Sequence, residues 1–271
     1  VPTSPATPPR RSAAEPVEVE RVPWSVLGPE FIADVGRHDP KNPQPEHLEI
    51  LGPTGSGKTF CLTQILVELV RRRKSSIIFI ATKAADSSVR ALGWPVVDSW
   101  REVQKHDQVI FWPRTSKIGK ARQEYQESRI AELLDNLWKE DANTIVVFDE
   151  FAYIESLSQD MKKTLLMYLR EGRSHGITCI MGKQRPQGVT RDMHSESVWT
   201  IAFRMTDRQD NERVAEIFGD KRAMLPVVED LDQERHEFLI QHQISRTQYV
   251  SWIDEPVDLK EAARRQHGYR R

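Results

Sequence analysis

Long apolar runs are missing from this chain. Its longest purely apolar stretches, Ile77-Ile78-Phe79-Ile80-Ala81 and Ile145-Val146-Val147-Phe148, have the length of strands and fall far short of a membrane span. The N-terminus also lacks a basic-then-apolar leader pattern, so the expectation is a soluble cytoplasmic protein without membrane insertion, in the host cytoplasm if the chain is viral. Cysteine is scarce. Cys61 and Cys179 have no partner at metal or redox spacing and read as buried thiols of a reducing compartment. Excess charge is absent as well: 39 Lys and Arg offset 40 Asp and Glu, for a formal net charge of −1. That balance excludes a uniformly basic nucleic-acid coat and requires any such contact to be local. No internal repeat is present.

Proline is abundant in one place only, with ten of the sixteen inside residues 1–45. Residues 1–20 are expected to be a disordered Pro-rich tail. Residues 21–45 carry Trp24, Leu27, Phe31 and Ile32, enough apolar surface to dock as an ordered lead-in. From 46 to 253, apolar strands alternate with helical patterns. The spacing predicts strands at 47–51, 77–82, 108–112, 144–148, 177–183 and 198–205. It predicts helices after residue 58, around 86–92, at 119–140, at 158–172, and from an Asp207 cap to Gly219. The fold class is α/β: a mainly parallel sheet with helices on both faces, its ligand at the carboxyl ends of the strands, and a closing β-hairpin at 236–242 and 246–252. Residues 254–271 read as a basic C-terminal tail.

Residues Gly52-Pro53-Thr54-Gly55-Ser56-Gly57-Lys58-Thr59 complete a G-x-x-x-x-G-K-[ST] phosphate loop between a strand and an amphipathic helix. Glycines let successive backbone N–H groups turn inward and approach a polyphosphate where a Cβ would obstruct. Lys58 supplies the charge for the β/γ-phosphates of ATP, Thr59 is placed to ligate Mg²⁺, and Phe60 opens the helix whose N-terminal dipole faces the phosphates.

About ninety residues downstream, the strand 144–148 ends in Asp149-Glu150. The strand end points Asp149 at the Mg²⁺ shell, and Glu150 can orient or deprotonate the attacking water. The next strand ends at Gln184, which falls beside the γ-phosphate as a sensor of ATP. Arg170 and Arg173 precede that strand and lie at the rim. There a guanidinium has little reach to its own nucleotide but can serve a neighbour's, with Arg173 the preferred finger and a plain helix-terminal role the alternative for both.

The phosphate loop, Phe148-Asp149-Glu150, and Gly172-Arg173-x-x-Gly176-Ile177 leading to Gln184-Arg185-Pro186 together resemble the FtsK/HerA superfamily of P-loop ATPases. The resemblance covers about residues 46–220. It implies a RecA-like core, a homo-oligomeric ring of five or six subunits, an intersubunit arginine finger, and double-stranded DNA moved through the pore. Lys183 departs from the Thr that many members carry before Gln-Arg-Pro. The absence of a membrane segment and of an appended DNA-reading domain resembles a minimal motor of virus packaging or mobile-element transfer, with a portal or secretion protein as a possible partner. Two other readings stay open: an ATPase driving protein export or virion assembly, and a nucleotide-gated scaffold in which slow hydrolysis serves as a timer. A nucleotide kinase is disfavoured by the lack of a phosphoacceptor pocket or arginine-rich lid.

Overall fold

The computed structural model describes residues 17–35, 46–72, 75–186, 191–259 and 262. In chain order these form α1 (Trp24–Asp34), β1 (His47–Leu51), α2 (Lys58–Arg72), β2 (Ser76–Ile80), α3 (Ser87–Arg90), β3 (Val96–Val97), α4 (Trp100–Val103), β4 (Gln108–Phe111) and α5 (Gly119–Leu137). There follow β5 (Thr144–Phe148), α6 (Phe151–Glu155), α7 (Gln159–Glu171), a 3₁₀ turn (Gly172–His175), β6 (Ile177–Lys183), α8 (Arg191–Glu196), β7 (Ser197–Phe203), α9 (Arg208–Phe218), α10 (Lys221–Glu229), β8 (Phe238–His242) and β9 (Gln248–Ser251).

The strands make one sheet in the order β3-β4-β2-β5-β6-β1-β7-β8-β9. Pairing is parallel from β3 through β7 and antiparallel for β7–β8 and β8–β9, which are the expected closing hairpin. The inner strands β1, β5 and β6 are buried on both faces, which is why they read as apolar runs rather than alternating ones. Alternate residues feed opposite layers. Ile77, Phe79, Ile145, Val147 and Ile180 pack with α1 and α2, whereas Ile78, Ile80, Val146, Phe148 and Cys179 pack with α5, α6 and α7. A third cluster joins β7, β8 and β9 to α9 and α10. Each fully buried Leu or Ile of these layers contributes about 1.5–3 kcal/mol.

The register aligns the strand ends that matter for function: Ile80 faces Phe148, Phe148 faces Met181, and Leu51 faces Lys183. The carboxyl ends of β2, β5, β6 and β1 therefore share one edge, and β1 and β6 are further tied by Gly52 N–H donating to the Lys183 carbonyl at 3.0 Å.

Several elements differ from expectation. The lead-in holds a full helix, α1, in which Trp24 packs edge-on against Phe31 and Phe238. Residues 17–20, at the end of the segment expected to be a disordered tail, are also placed: Val250 N–H donates to the Glu20 carbonyl, and Val19 packs on the third cluster. Helix α10 was not foreseen, because Pro226 lies inside it. Its start is fixed by Asp220, whose carboxylate accepts from Arg222 and Ala223 N–H. Residues 1–16 and most of the basic tail after 259 lie outside the described residues. No helix among the described residues is long and apolar enough to cross a membrane.

Candidate functional site: a phosphate loop with paired acids

Strand β1 runs straight into residues 52–57, where Gly55 and Gly57 adopt φ of 85° and 92°. Those angles strain any side-chain-bearing residue. A Cβ on Gly55 would meet nothing within 4 Å, so the space beside that glycine is open. Helix α2 begins at Lys58, which is buried, and its N-terminus points into the loop. The Lys58 Nζ lies 3.9 Å from Asp149 Oδ1.

Asp149 ends β5 and is buried; Glu150 stands at the N-cap of α6. A Cβ on Gly182 would come within 2.6 Å of the Asp149 carbonyl, so glycine at that position lets β5 and β6 converge here. Across the gap, Gln184 Nε2 donates to Glu150 Oε1 at 2.7 Å, and Thr54 Oγ1 donates to Gln184 Oε1 at 3.5 Å. The amide thus bridges the phosphate loop and the second acid. Six residues from three separate motifs, Thr54, Lys58, Thr59, Asp149, Glu150 and Gln184, converge around this edge of the sheet.

Of the buried oxygens without a hydrogen-bond partner, two belong to the phosphate loop and its facing acid, Ser56 Oγ and Asp149 Oδ1. An orphaned carboxylate oxygen 3.9 Å from a buried ammonium, under an open glycine loop at the start of a 15-residue helix, fits a polyphosphate with its divalent cation. Lys58 and the loop N–H groups would hold the phosphates; Asp149 and Thr59 would hold Mg²⁺.

The sequence reading missed two members of this cluster. Lys83, three residues past the end of β2, places Nζ 3.2 Å from Asp149 Oδ2, 3.0 Å from Glu150 Oε1 and 3.6 Å from Asp86 Oδ2. Burial on its own would lower its pKa, but the Asp149 and Glu150 charges and their hydrogen bonds outweigh that and hold it above the ordinary lysine value. Its backbone is anchored from α5 and β4: Arg122 and Gln126 donate to the Thr82 carbonyl, and Trp112 Nε1 donates to the Lys83 carbonyl at 2.7 Å. The available signal was its place at the carboxyl end of a parallel strand. The second, His236, comes from the loop before β8 and sets Nδ1 3.1 Å from the Ser56 carbonyl.

Beside the site lies a buried ionic cluster. Lys183 Nζ, 3.6 Å from Glu49 Oε1, also lies 5.7 Å from the Phe151 ring centroid, and His194 Nδ1 is 2.5 Å from Glu49 Oε2. Burial lowers the Lys183 pKa to about 8, with Glu49 and Glu155 opposing the shift.

Arg173 is not part of this assembly. It precedes β6, so the length of that strand, about 20 Å at ~3.3 Å per residue, separates it from Gln184. Its charge acts at the other end of the sheet, on Glu46 and on His47. Burial, with Arg173 adding to it, lowers the His47 pKa to about 4. The ring bridges Cys179 N–H, which donates to Nδ1, and the Leu169 carbonyl. Arg170 is exposed near the end of α7. Cys61 and Cys179 are buried free thiols, as expected.

No family model matches the sequence. Among solved structures, the chain is similar to the genome packaging NTPase B204 of Sulfolobus turreted icosahedral virus 2 in complex with AMPPCP. The TM-score is 0.57 at 16% identity, over 80% of this chain and 99% of that one. It is also similar to the pCW3 conjugation coupling protein TcpA, with a TM-score of 0.52 at 19% identity over 83% of this chain and 65% of that one. The chain has the fold of the FtsK/HerA-type P-loop ATPases. In sequence, the chain is 25% identical over 218 residues to the type VII secretion system protein EssC of Staphylococcus aureus. That match takes in 71% of this chain but only 14% of the relative, so the chain spans about one seventh of the curated proteins it matches.

Proposed function

We propose that this chain is an ATP-hydrolysing motor subunit that works in a ring of five or six copies and moves double-stranded DNA, in genome packaging or mobile-element transfer. The observation that carries the hydrolytic part is the Gln184–Glu150 hydrogen bond beside Asp149 and Lys58, which sets a base, a cation-holding carboxylate and a phosphate-binding ammonium at one strand edge.

In this reading the loop N–H groups and Lys58 fix the triphosphate, and Thr59 and Asp149 hold Mg²⁺. When bound there, the cation would supply charge neutralisation to the triphosphate. Glu150 accepts the proton of the attacking water at Oε1 or Oε2, and Gln184, bonded to both Glu150 and Thr54, orients that water and reports whether the loop is filled. Arg173, at the far edge of the sheet, acts on the nucleotide of an adjacent copy.

Support for a DNA cargo comes from the packaging NTPase, 99% of which this chain covers, and from the conjugation coupling protein. The sequence match to EssC favours a second reading, protein export. ATPase turnover measured with and without double-stranded DNA separates the two, run beside sizing in a nonhydrolysable ATP analogue. Stimulation by DNA in an assembled species supports the motor on DNA. Assembly with turnover indifferent to DNA supports export. Turnover well below about one per second under every condition turns the reading toward a nucleotide-gated scaffold.

A further inference from the structure

A cavity of about 310 Å³ opens over the phosphate loop, and its walls include two aromatic rings that lie outside the hydrophobic clusters, Phe60 and His236. Phe60 follows Thr59 on the first turn of α2 and is 39% exposed. His236 is exposed as well, although the loop that presents it is firmly built.

Within that loop, Asp232 Oδ1 accepts from Glu234 and Arg235 N–H, and the Asp232 carbonyl accepts from Glu237 N–H at 2.9 Å. The buried Glu237 carboxylate accepts from Asp232 N–H and from the Arg21 guanidinium of the incoming segment. Arg235 lies over the Trp252 ring at 4.3 Å. These contacts hold His236 at φ 52°, in the left-handed region, and lay its ring against Gly57, where a Cβ would come within 2.9 Å of the ring. A side chain fixed at a sparsely populated backbone angle and left exposed beside a ligand loop has been positioned for something other than packing.

The geometry points to a nucleobase-stacking site formed by Phe60 and His236. This deepens the ATP reading above and rests on it. With the terminal phosphates fixed by Lys58 and the N-terminus of α2, the nucleoside end of the ligand leaves the loop past Thr59 and Phe60, toward the His236 wall of the same cavity. A flat heteroaromatic base has two faces to cover, and two exposed rings at the open side of the cavity supply partners for them. Stacking reads the area of a base rather than the hydrogen-bonding pattern of its edge. The site therefore takes purine nucleoside triphosphates as a class, ATP and GTP within a few-fold of each other, and pyrimidine triphosphates more weakly.

Calorimetric titration of the full chain tests this. ATP, GTP, CTP and inorganic tripolyphosphate are each titrated into the wild type and into Phe60→Ala, His236→Ala and His236→Phe. Stacking predicts that each alanine variant loses roughly five- to hundredfold in ATP affinity while tripolyphosphate affinity is unchanged, which also shows the loop to be intact. His236→Phe, which keeps a ring but not the bond to the Ser56 carbonyl, should stay within about threefold of wild type. Equal losses for ATP and tripolyphosphate, or a His236→Phe variant as weak as His236→Ala, would mean that His236 only braces the loop, and would overturn the proposal. So would unchanged ATP affinity in both alanine variants. A wild type that binds tripolyphosphate as tightly as ATP also overturns it and leaves the hydrolytic site standing, whereas a wild type that binds neither removes the nucleotide reading itself.

Discussion

Gln184 reaches Glu150 from the end of the neighbouring strand, its Nε2 donating to Oε1 at 2.7 Å, and Lys83 Nζ shares that oxygen at 3.0 Å. The second acid of the pair is therefore held by two donors from two different strand ends. Replacing it with its amide keeps the shape and removes the base. Glu150→Gln is expected to bind ATP and Mg²⁺ within a few-fold of wild type while turnover falls by about 10²–10⁴. Calorimetry beside a phosphate-release assay checks both halves. Loss of ATP binding in a folded variant would show that Glu150 serves the ligand's affinity instead.

Lys83 lies between Asp149, which would hold the cation, and Glu150, so its ammonium and Mg²⁺ would act on the same Asp149 charge. Lys83→Met leaves Glu150 without an ammonium partner and Asp149 with Lys58 alone, 3.9 Å away. The variant should melt a few degrees below wild type without Mg²⁺, and added Mg²⁺ should raise its melting temperature by more than it raises that of the wild type. Differential scanning calorimetry with and without Mg²⁺ reads this directly. Identical Mg²⁺ shifts in the two proteins would mean that Lys83 and the cation do not share the Asp149 carboxylate.

Arg173 stands a strand length from the acids of its own subunit, so any catalytic role requires a neighbour. Arg173→Ala should retain ATP binding and lose about 10³–10⁵ in turnover. Mixing it with Glu150→Gln subunits, each inactive alone, should restore partial hydrolysis wherever an intact Arg173 faces an intact Glu150. Mixed assemblies without recovered activity, together with equal damage from Arg170→Ala, would return Arg173 to a structural part at the foot of β6.

The buried Lys183 gives stability a pH dependence of defined sign. Its folded pKa of about 8 lies below the ordinary 10.5, because burial outweighs the Glu49 and Glu155 charges that face it, with His194 on the far side of Glu49. Between those values the unfolded chain holds the proton and the folded one does not. Stability attributable to Lys183 therefore rises as pH goes from 8 toward 10. Urea unfolding of wild type and Lys183→Met across that range should show the wild type gaining on the variant with pH. Parallel curves would mean that the ammonium stays charged in the folded protein.

Much of this was legible in advance, for identifiable reasons. The phosphate loop and the strand ending in Asp149-Glu150 are local patterns, and local patterns survive folding. Strands buried on both faces announce themselves as apolar runs, and Asp207 and Gly219 marked the ends of α9 by capping chemistry alone. Lys83 and His236 escaped because their roles depend on which strand end or loop folds beside them, and neither sits in a spaced pattern. Helix α10 escaped because Pro226 is a breaker by propensity, overridden here by the Asp220 cap and by burial of Ala223, Met224 and Val228. Lys183 was visible as a departure from the pattern that the sequence resembles, but its tie to Glu49 and His194 required the sheet.

The incoming residues 20–24 lie along β9, with Val22 N–H donating to the Val250 carbonyl, Val250 N–H to the Glu20 carbonyl, and Trp24 N–H to the Trp252 carbonyl. The opposite border of the sheet is β3, two residues long. Among the described residues neither border offers a long ladder of free peptide groups, and such ladders are what lets one copy of a protein extend the sheet of another irreversibly. In the proposed ring, copies of this chain would instead meet through side chains. Contacts of that kind can be made and released at every turn of a cycle, which is what the proposed motor would require.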